Sequence, residues 1–405
     1  MTKNLEEENM KPFNVKLLYI YKFINQCLPI YAFYTILFIE RGKTLTDIAV
    51  LIALWSVFTI LFEVPAGILA DRWNRRNMLA LATVLQGTCF IIWFFSHSFL
   101  MFALGFVFWG IAGAFVSGTE EGLIYDNLKY DGEEERFTEV YGKAQFYANV
   151  GVIVGIASAG VIASFISIPT IALLSAAICF LNAGFALQIR EKNYYLERLD
   201  KESTNLFETV KEAGTFLKGS TAALISILFL VLFASLGGYL DEFDALIIND
   251  WELSKIWVSV ILTVRFIFIA VGDILAPMVQ KKISSIRQIC LLGGVACAIL
   301  AVFAIMWSRY AILFFGLSFM ILAITEILLV NVLQNEIKEE GRATVMSFYG
   351  IGQNVAMICF SLIYALLAGL FTLQQVYIII AIYGVIGSLG FVLLSGIPPF
   401  HKRGD

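Results

Sequence analysis

The chain has 405 residues, of which 59% are apolar and only 15% charged, with a formal net charge of −4 and a mean hydropathy of +0.82. A soluble domain of this length carries far more charge, so the composition excludes one and points to a chain built to sit in a lipid bilayer. The net charge itself says little, because in such a chain the position of Lys and Arg matters more than their sum.

Apolar runs near 20 residues recur along most of the chain, the length that crosses about 30 Å of hydrocarbon. They predict an all-α membrane protein of twelve spans, near 14–39, 46–70, 78–97, 99–125, 138–164, 167–189, 221–246, 253–278, 286–307, 309–334, 344–370 and 372–396. Span 1 starts after Lys11 and is too long and too polar for a cleaved signal peptide, so it is expected to remain as a transmembrane helix. It carries Lys22 beside Asn25 and Gln26, and a row of rings that includes Tyr19, Tyr21, Tyr31 and Tyr34. Most of these rings are expected to face lipid or pack between helices. Some could form a wall for a hydrophobic or cationic ligand.

Span 2 runs into Gly67, Asp71, Arg72, Arg75 and Arg76 within about three turns, as a helix does when it leaves the membrane on the cytoplasmic side. In span 4, Trp109, Gly113, Ser117 and Glu120 share one face by helical spacing. Glu121 follows, and Asp126 closes the inner end. Span 5 holds small residues in rows from Gly151 to Gly160, a pattern that allows close helix packing. The one long polar stretch, Arg190 to Ser220, contains Leu206, Phe207, Val210, Ala213, Phe216 and Leu217 at helical spacing. It reads as an amphipathic helix on the inner membrane surface. Domain limits follow at 1–190, 191–220 and 221–405. In the second half, Tyr239, Asp241, Glu242 and Asp244 sit near the outer end of span 7, with Asp244 also readable as loop. Arg265 is central in span 8, and Glu326 is central in span 10.

Lys and Arg outside the spans fall almost entirely on one side. The opposite loops hold only Arg41, Lys43, Lys255 and Arg309. By the positive-inside rule both termini and the 190–220 stretch are expected in the cytoplasm, with the chain in the cell membrane. The two halves also resemble each other. Tyr141-Gly142-Lys143-Ala144-Gln145 returns as Tyr349-Gly350-Ile351-Gly352-Gln353, each after an acidic loop with one arginine. The offset is about half the chain, which makes span 5 the counterpart of span 11.

The run G-x-x-x-D-R-x-x-R-R from Gly67 to Arg76 resembles the loop between helices 2 and 3 of the major facilitator superfamily. Asn74 stands where that family usually has Gly. Span 5 also resembles the signature of the drug:proton antiporter branch, with Ile156 in place of its proline and Ala159 in place of a glycine. The arginine that branch often has in helix 4 is missing.

The resemblance implies two parallel six-helix bundles and transport of a small solute between them by alternating access. It implies that Asp71 faces the start of helix 11 and that an arginine of the loop meets Asp126. Together these would lock the halves while the cavity opens outward. It also makes helices 1, 4, 7 and 10 the cavity lining, which places Lys22, Glu120, Asp241 and Glu326 there. Glu326, Glu120, Asp241 and Glu242 are then the candidates for carrying a coupling proton. Lys22, Asn25, Gln26, Trp109, Ser117, Tyr239 and Arg265 are candidates for the solute cavity. Each ion inside the membrane costs at least about 2.5–3.5 kcal/mol unless it is paired or hydrated, so these residues need a reason to be there. Lys22 is expected to pair with Glu120 or Glu121, and Arg265 with Glu326 or the span 7 acids.

The six cysteines lie in apolar runs without metal-ligand spacing and read as packing residues. Both histidines, His97 and His401, lie outside the spans, so a histidine relay is excluded. There is no phosphate-binding loop, nucleophile elbow or metal-ligand cluster, so neither ATP drive within the chain nor enzymatic chemistry is expected. The expected function is proton-coupled export of a drug or metabolite by a monomer in the lipid bilayer. No cofactor, metal or nucleic acid is expected. Import of a small nutrient, or a receptor role on a transporter scaffold, are the alternatives.

Overall fold

The computed structural model describes residues 13–191, 227–231, 238–283, 285–336 and 342–394. The amphipathic helix expected within 190–220 lies outside these residues. All regular structure among the described residues is helical. Eleven helical segments there are long and apolar enough to cross a membrane, and they match spans 1–6 and 8–12. Of span 7, the described part includes the short helix Asp244–Asp250.

Two spans are broken where continuous helices were expected. Span 1 consists of helix Val15–Gln26, the single turn Pro29–Ala32 and helix Tyr34–Glu40. Pro29 has no N–H to give and disfavours helical backbone at Leu28, so the first helix stops there. Just past the break, the Ile30 N–H donates to Ser175 Oγ at 3.1 Å, so span 6 supplies the missing partner. Span 4 consists of Phe99–Val116 and Thr119–Tyr130. Gly118 joins them in the left-handed region, at φ 67°, where a residue with a Cβ is strained.

By its contacts the chain divides into two units. One is Met1–Ser203 with Lys255–Ser259, and the other is Thr204–Ser254 with Val260–Asp405. In the first unit span 3 packs along spans 4 and 6, and in the second span 9 packs along spans 10 and 12. An offset of six spans relates these pairs, the same offset as the sequence repeat. Span 5 lies on span 1 at its glycines. A Cβ added at Gly151 would stand 2.3 Å from the Phe23 carbonyl oxygen, and one at Gly155 2.8 Å from the Leu28 nitrogen. The row of small residues in span 5 therefore serves close packing here.

The first unit has an aromatic core. Trp93 is fully buried and touches Tyr34, Phe38, Phe90, Phe106 and Trp109. The first-half rings of span 1 divide accordingly: Tyr34 joins this core, and Tyr31 stacks on Trp109 at 5.8 Å.

Candidate functional site

In the first unit, Lys22 Nζ lies 2.7 Å from the Glu120 carboxylate, with side-chain exposures of 9% and 7%. The break at Gly118 makes this possible, because it starts a new helix whose first turn points Glu120 inward. Asn182 continues the polar network, donating to the Tyr21 carbonyl and to Asn25 Oδ1. Thr83 also donates to Asn25 Oδ1. Gln86 donates to the Tyr31 hydroxyl at 2.7 Å, while Gln26 is half-buried on the same helix.

The expected common face of Trp109, Ser117 and Glu120 does not exist, because the helix is interrupted between Val116 and Thr119. Trp109 belongs to the aromatic core. Ser117 is exposed and donates to Glu63 at 3.0 Å. Glu121 is exposed as well and accepts from the Tyr141 hydroxyl at 2.8 Å.

At the end of span 2, Gly67 and Arg72 are exposed, and Arg76 is half-buried. Arg75 Nη1 lies 3.1 Å from Asp126 Oδ2. The N–H groups of Arg75 and Arg76 open span 3, and both donate to the Glu191 carboxylate, at 2.8 and 3.0 Å. A carboxylate suits the positive end of a helix, where N–H groups lack partners. Glu191 was not anticipated. It follows span 6 in a run of charges, with no periodicity to mark it. The side chain of Asp71 and the first side chains of span 11 lie outside the described residues, so the expected contact between them is not described.

The second unit carries the other buried charge. Arg265, with 4% of its side chain exposed, pairs with both Asp241 and Asp244 of span 7. Asp244 Oδ2 is 2.9 Å away and is itself 1% exposed, while the Asp241 side chain is 40% exposed. The Tyr377 hydroxyl of span 12 donates to Asp244 Oδ1 at 3.2 Å. The Phe319 ring lies against the guanidinium, 4.2 Å from its centre. Arg265 therefore meets the span 7 acids, one of the two pairings open from sequence. Asp244, readable as loop from sequence, starts a helix and is fully buried. Its spacing of three from Asp241 was the signal that could have found it.

A cavity of about 210 Å³ opens beside this cluster. Asp241, Arg265 and Glu326 border it, and Phe266, Ile269, Phe319 and Leu322 supply most of its apolar wall. Glu326 is exposed on that wall. Glu242 is half-buried. Tyr239 is only 1% exposed and packs on Phe243 and Tyr364, away from the cavity. Among the described residues no group of His, Cys, Asp and Glu is placed to hold a metal ion.

Residues 23–358 match the family model described as Major Facilitator Superfamily. Comparison with curated protein sequences gives no significant match. Among solved structures the chain is similar to the nucleoside transporter NupG, with a TM-score of 0.79, 14% identity, and coverage of 95% of this chain and 100% of that one. A point mutant of the same transporter matches at 0.79 and 14%, over 94% and 99% of the two chains. A POT family transporter in complex with 5-aminolevulinic acid matches at 0.70 and 12%, over 94% and 96%. At these identities the likeness speaks for the fold alone. With ion pairs buried inside membrane-length helices, the major facilitator fold over nearly the whole chain, and a family model that covers most of it, the chain belongs to the major facilitator superfamily and is a multi-pass membrane transporter of a small solute rather than an enzyme.

Proposed function

We propose that the protein is a proton-coupled secondary transporter that exports a small organic solute, a drug or metabolite, across the cell membrane by alternating access. The observation that carries this reading is the cavity of the second unit, where Glu326, Asp241 and Arg265 stand among mostly apolar residues. An acid inside the membrane-spanning part of a transporter is the kind of group that carries protons along a relay. Glu326 is assigned the coupling proton. Glu120 is already matched by Lys22 at 2.7 Å and serves as one arm of a fixed bridge.

The cluster of Gly67, Asp71, Arg72, Arg75, Arg76 and Asp126 is assigned to the conformational lock, on the strength of the loop sequence and the Arg75–Asp126 pair. The excess of Lys and Arg in one set of loops supports cytoplasmic termini. The protein is taken to work as a monomer in lipid. Export as the direction rests on the resemblance of span 5 to the signature of the drug:proton antiporter branch.

Flux in proteoliposomes tests the whole reading. Uptake of solute into inside-out vesicles, with protons leaving, is the expected result. Protons moving with the solute would make the protein an importer, and absence of flux for a solute that binds would make it a receptor.

A further inference from the structure

The cluster around Arg265 does not balance. One guanidinium faces two carboxylates, Asp241 and Asp244, and among the described residues no other cation borders the cavity. The two acids are not equivalent. Asp244 is buried 2.9 Å from Arg265, with its other oxygen accepting from the Tyr377 hydroxyl. The Phe319 ring holds the guanidinium from the side. Arg265 gives a hydrogen bond to Asp241 and forms an ion pair with Asp244. Two carboxylates against one guanidinium leave the cluster with a surplus negative charge, and Asp241 is the acid partly exposed on the cavity wall. A solute anion entering the cavity would meet Asp241 before it met Arg265, which is almost fully buried. A solute cation would meet the exposed carboxylate of a cluster with surplus negative charge, with the rings of Phe266 and Phe319 beside it to take an apolar body.

We propose that this cavity binds an organic cation, with its positive ammonium group on Asp241 and its apolar part against Phe266 and Phe319, while Asp244 and Tyr377 hold Arg265 in place. The proposal names the solute class for the transport reading above and rests on it.

The test uses the purified full chain in detergent and three probes: benzyltrimethylammonium, its neutral isostere neopentylbenzene, and the aromatic anion benzenesulfonate. Binding is read by calorimetry and by the shift in melting temperature. Benzyltrimethylammonium is expected to bind and benzenesulfonate not. Asp241→Asn should weaken the cation at least tenfold with its ligand-free melting temperature unchanged, and Asp241→Glu should restore most of the affinity. Asp273→Asn, on an exposed part of span 8 away from the cavity, should bind as the parent does. Phe266→Leu provides a second variant should Asp241→Asn fail to fold. It should weaken the cation but not neopentylbenzene. Preference for benzenesulfonate, no binding of the cation by the parent chain, or equal cation affinity in both Asp241→Asn and Phe266→Leu would overturn the proposal. Equilibrium binding needs no gradient, so intact cation binding without proton-driven flux would sink the transport reading and leave this site standing.

Discussion

Lys22 and Glu120 stand 98 residues apart in sequence and 2.7 Å apart in space, both almost free of solvent. They join span 1 to the second helix of span 4. Breaking such a pair leaves one charge buried without its partner, which costs about 3–5 kcal/mol. Lys22→Met and Glu120→Leu should each lower the melting temperature by several degrees. The double variant should recover much of the loss, because an apolar pair of similar volume removes the uncompensated charge. Equal melting of both single variants and the parent would show that the pair does not stabilise the unit.

Arg265 is expected to behave differently, because two acids share it. Arg265→Met leaves Asp241 and Asp244 without a cation and should cost about 3–5 kcal/mol. Adding Asp244→Asn should return more stability than adding Asp241→Asn, since Asp244 is buried and Asp241 is partly hydrated. The melting temperatures of the three variants check this. A larger rescue by Asp241→Asn would reverse the assignment of fixed and exchangeable partner.

Gly151 sits where span 5 touches the backbone of span 1. A methyl group there would meet the Phe23 carbonyl oxygen at 2.3 Å, and backbone cannot step aside cheaply. Gly151→Ala should destabilise the chain by about 1–3 kcal/mol through overpacking. Gly142, on the same span with open space around its Cα, should accept Ala without loss. Thermal unfolding of the two variants separates them, and similar behaviour would show that the approach of the two spans is looser than described.

The Arg75–Asp126 pair should matter for transport more than for folding, because both side chains keep some access to water. Asp126→Asn and Asp71→Asn are expected to express and melt near the parent but to transport at least tenfold more slowly. Normal rates in either well-folded variant would remove that residue from the lock.

The fold was legible because its strongest signal is physical and repetitive. A bilayer demands runs near 20 apolar residues, and the half-length repeat fixes the pairing of spans. What sequence could not show were the breaks. Span 1 was expected to run unbroken through Pro29 and span 4 through Gly118, whose φ of 67° is what turns Glu120 toward Lys22. The charged residues were found because an ion inside a membrane needs a partner, and the pairing of Arg265 with span 7 rather than with Glu326 was a choice only coordinates could make. Glu191 and Tyr377 escaped notice for a plain reason. A carboxylate in a charged linker and a tyrosine in an apolar helix carry no pattern until a helix end or a buried Asp244 is placed beside them.

Transport by the Glu326→Gln variant tests the central claim most directly. Gln keeps the shape and hydrogen-bonding capacity of the protonated acid but cannot release a proton. With a solute identified by thermal-shift screening, the variant in proteoliposomes should still exchange solute between equal pools at near the parent rate. It should fail to accumulate solute when a pH gradient is imposed. A Glu326→Gln protein that still concentrates solute against its gradient, driven by pH, would contradict the assignment of the coupling proton to Glu326.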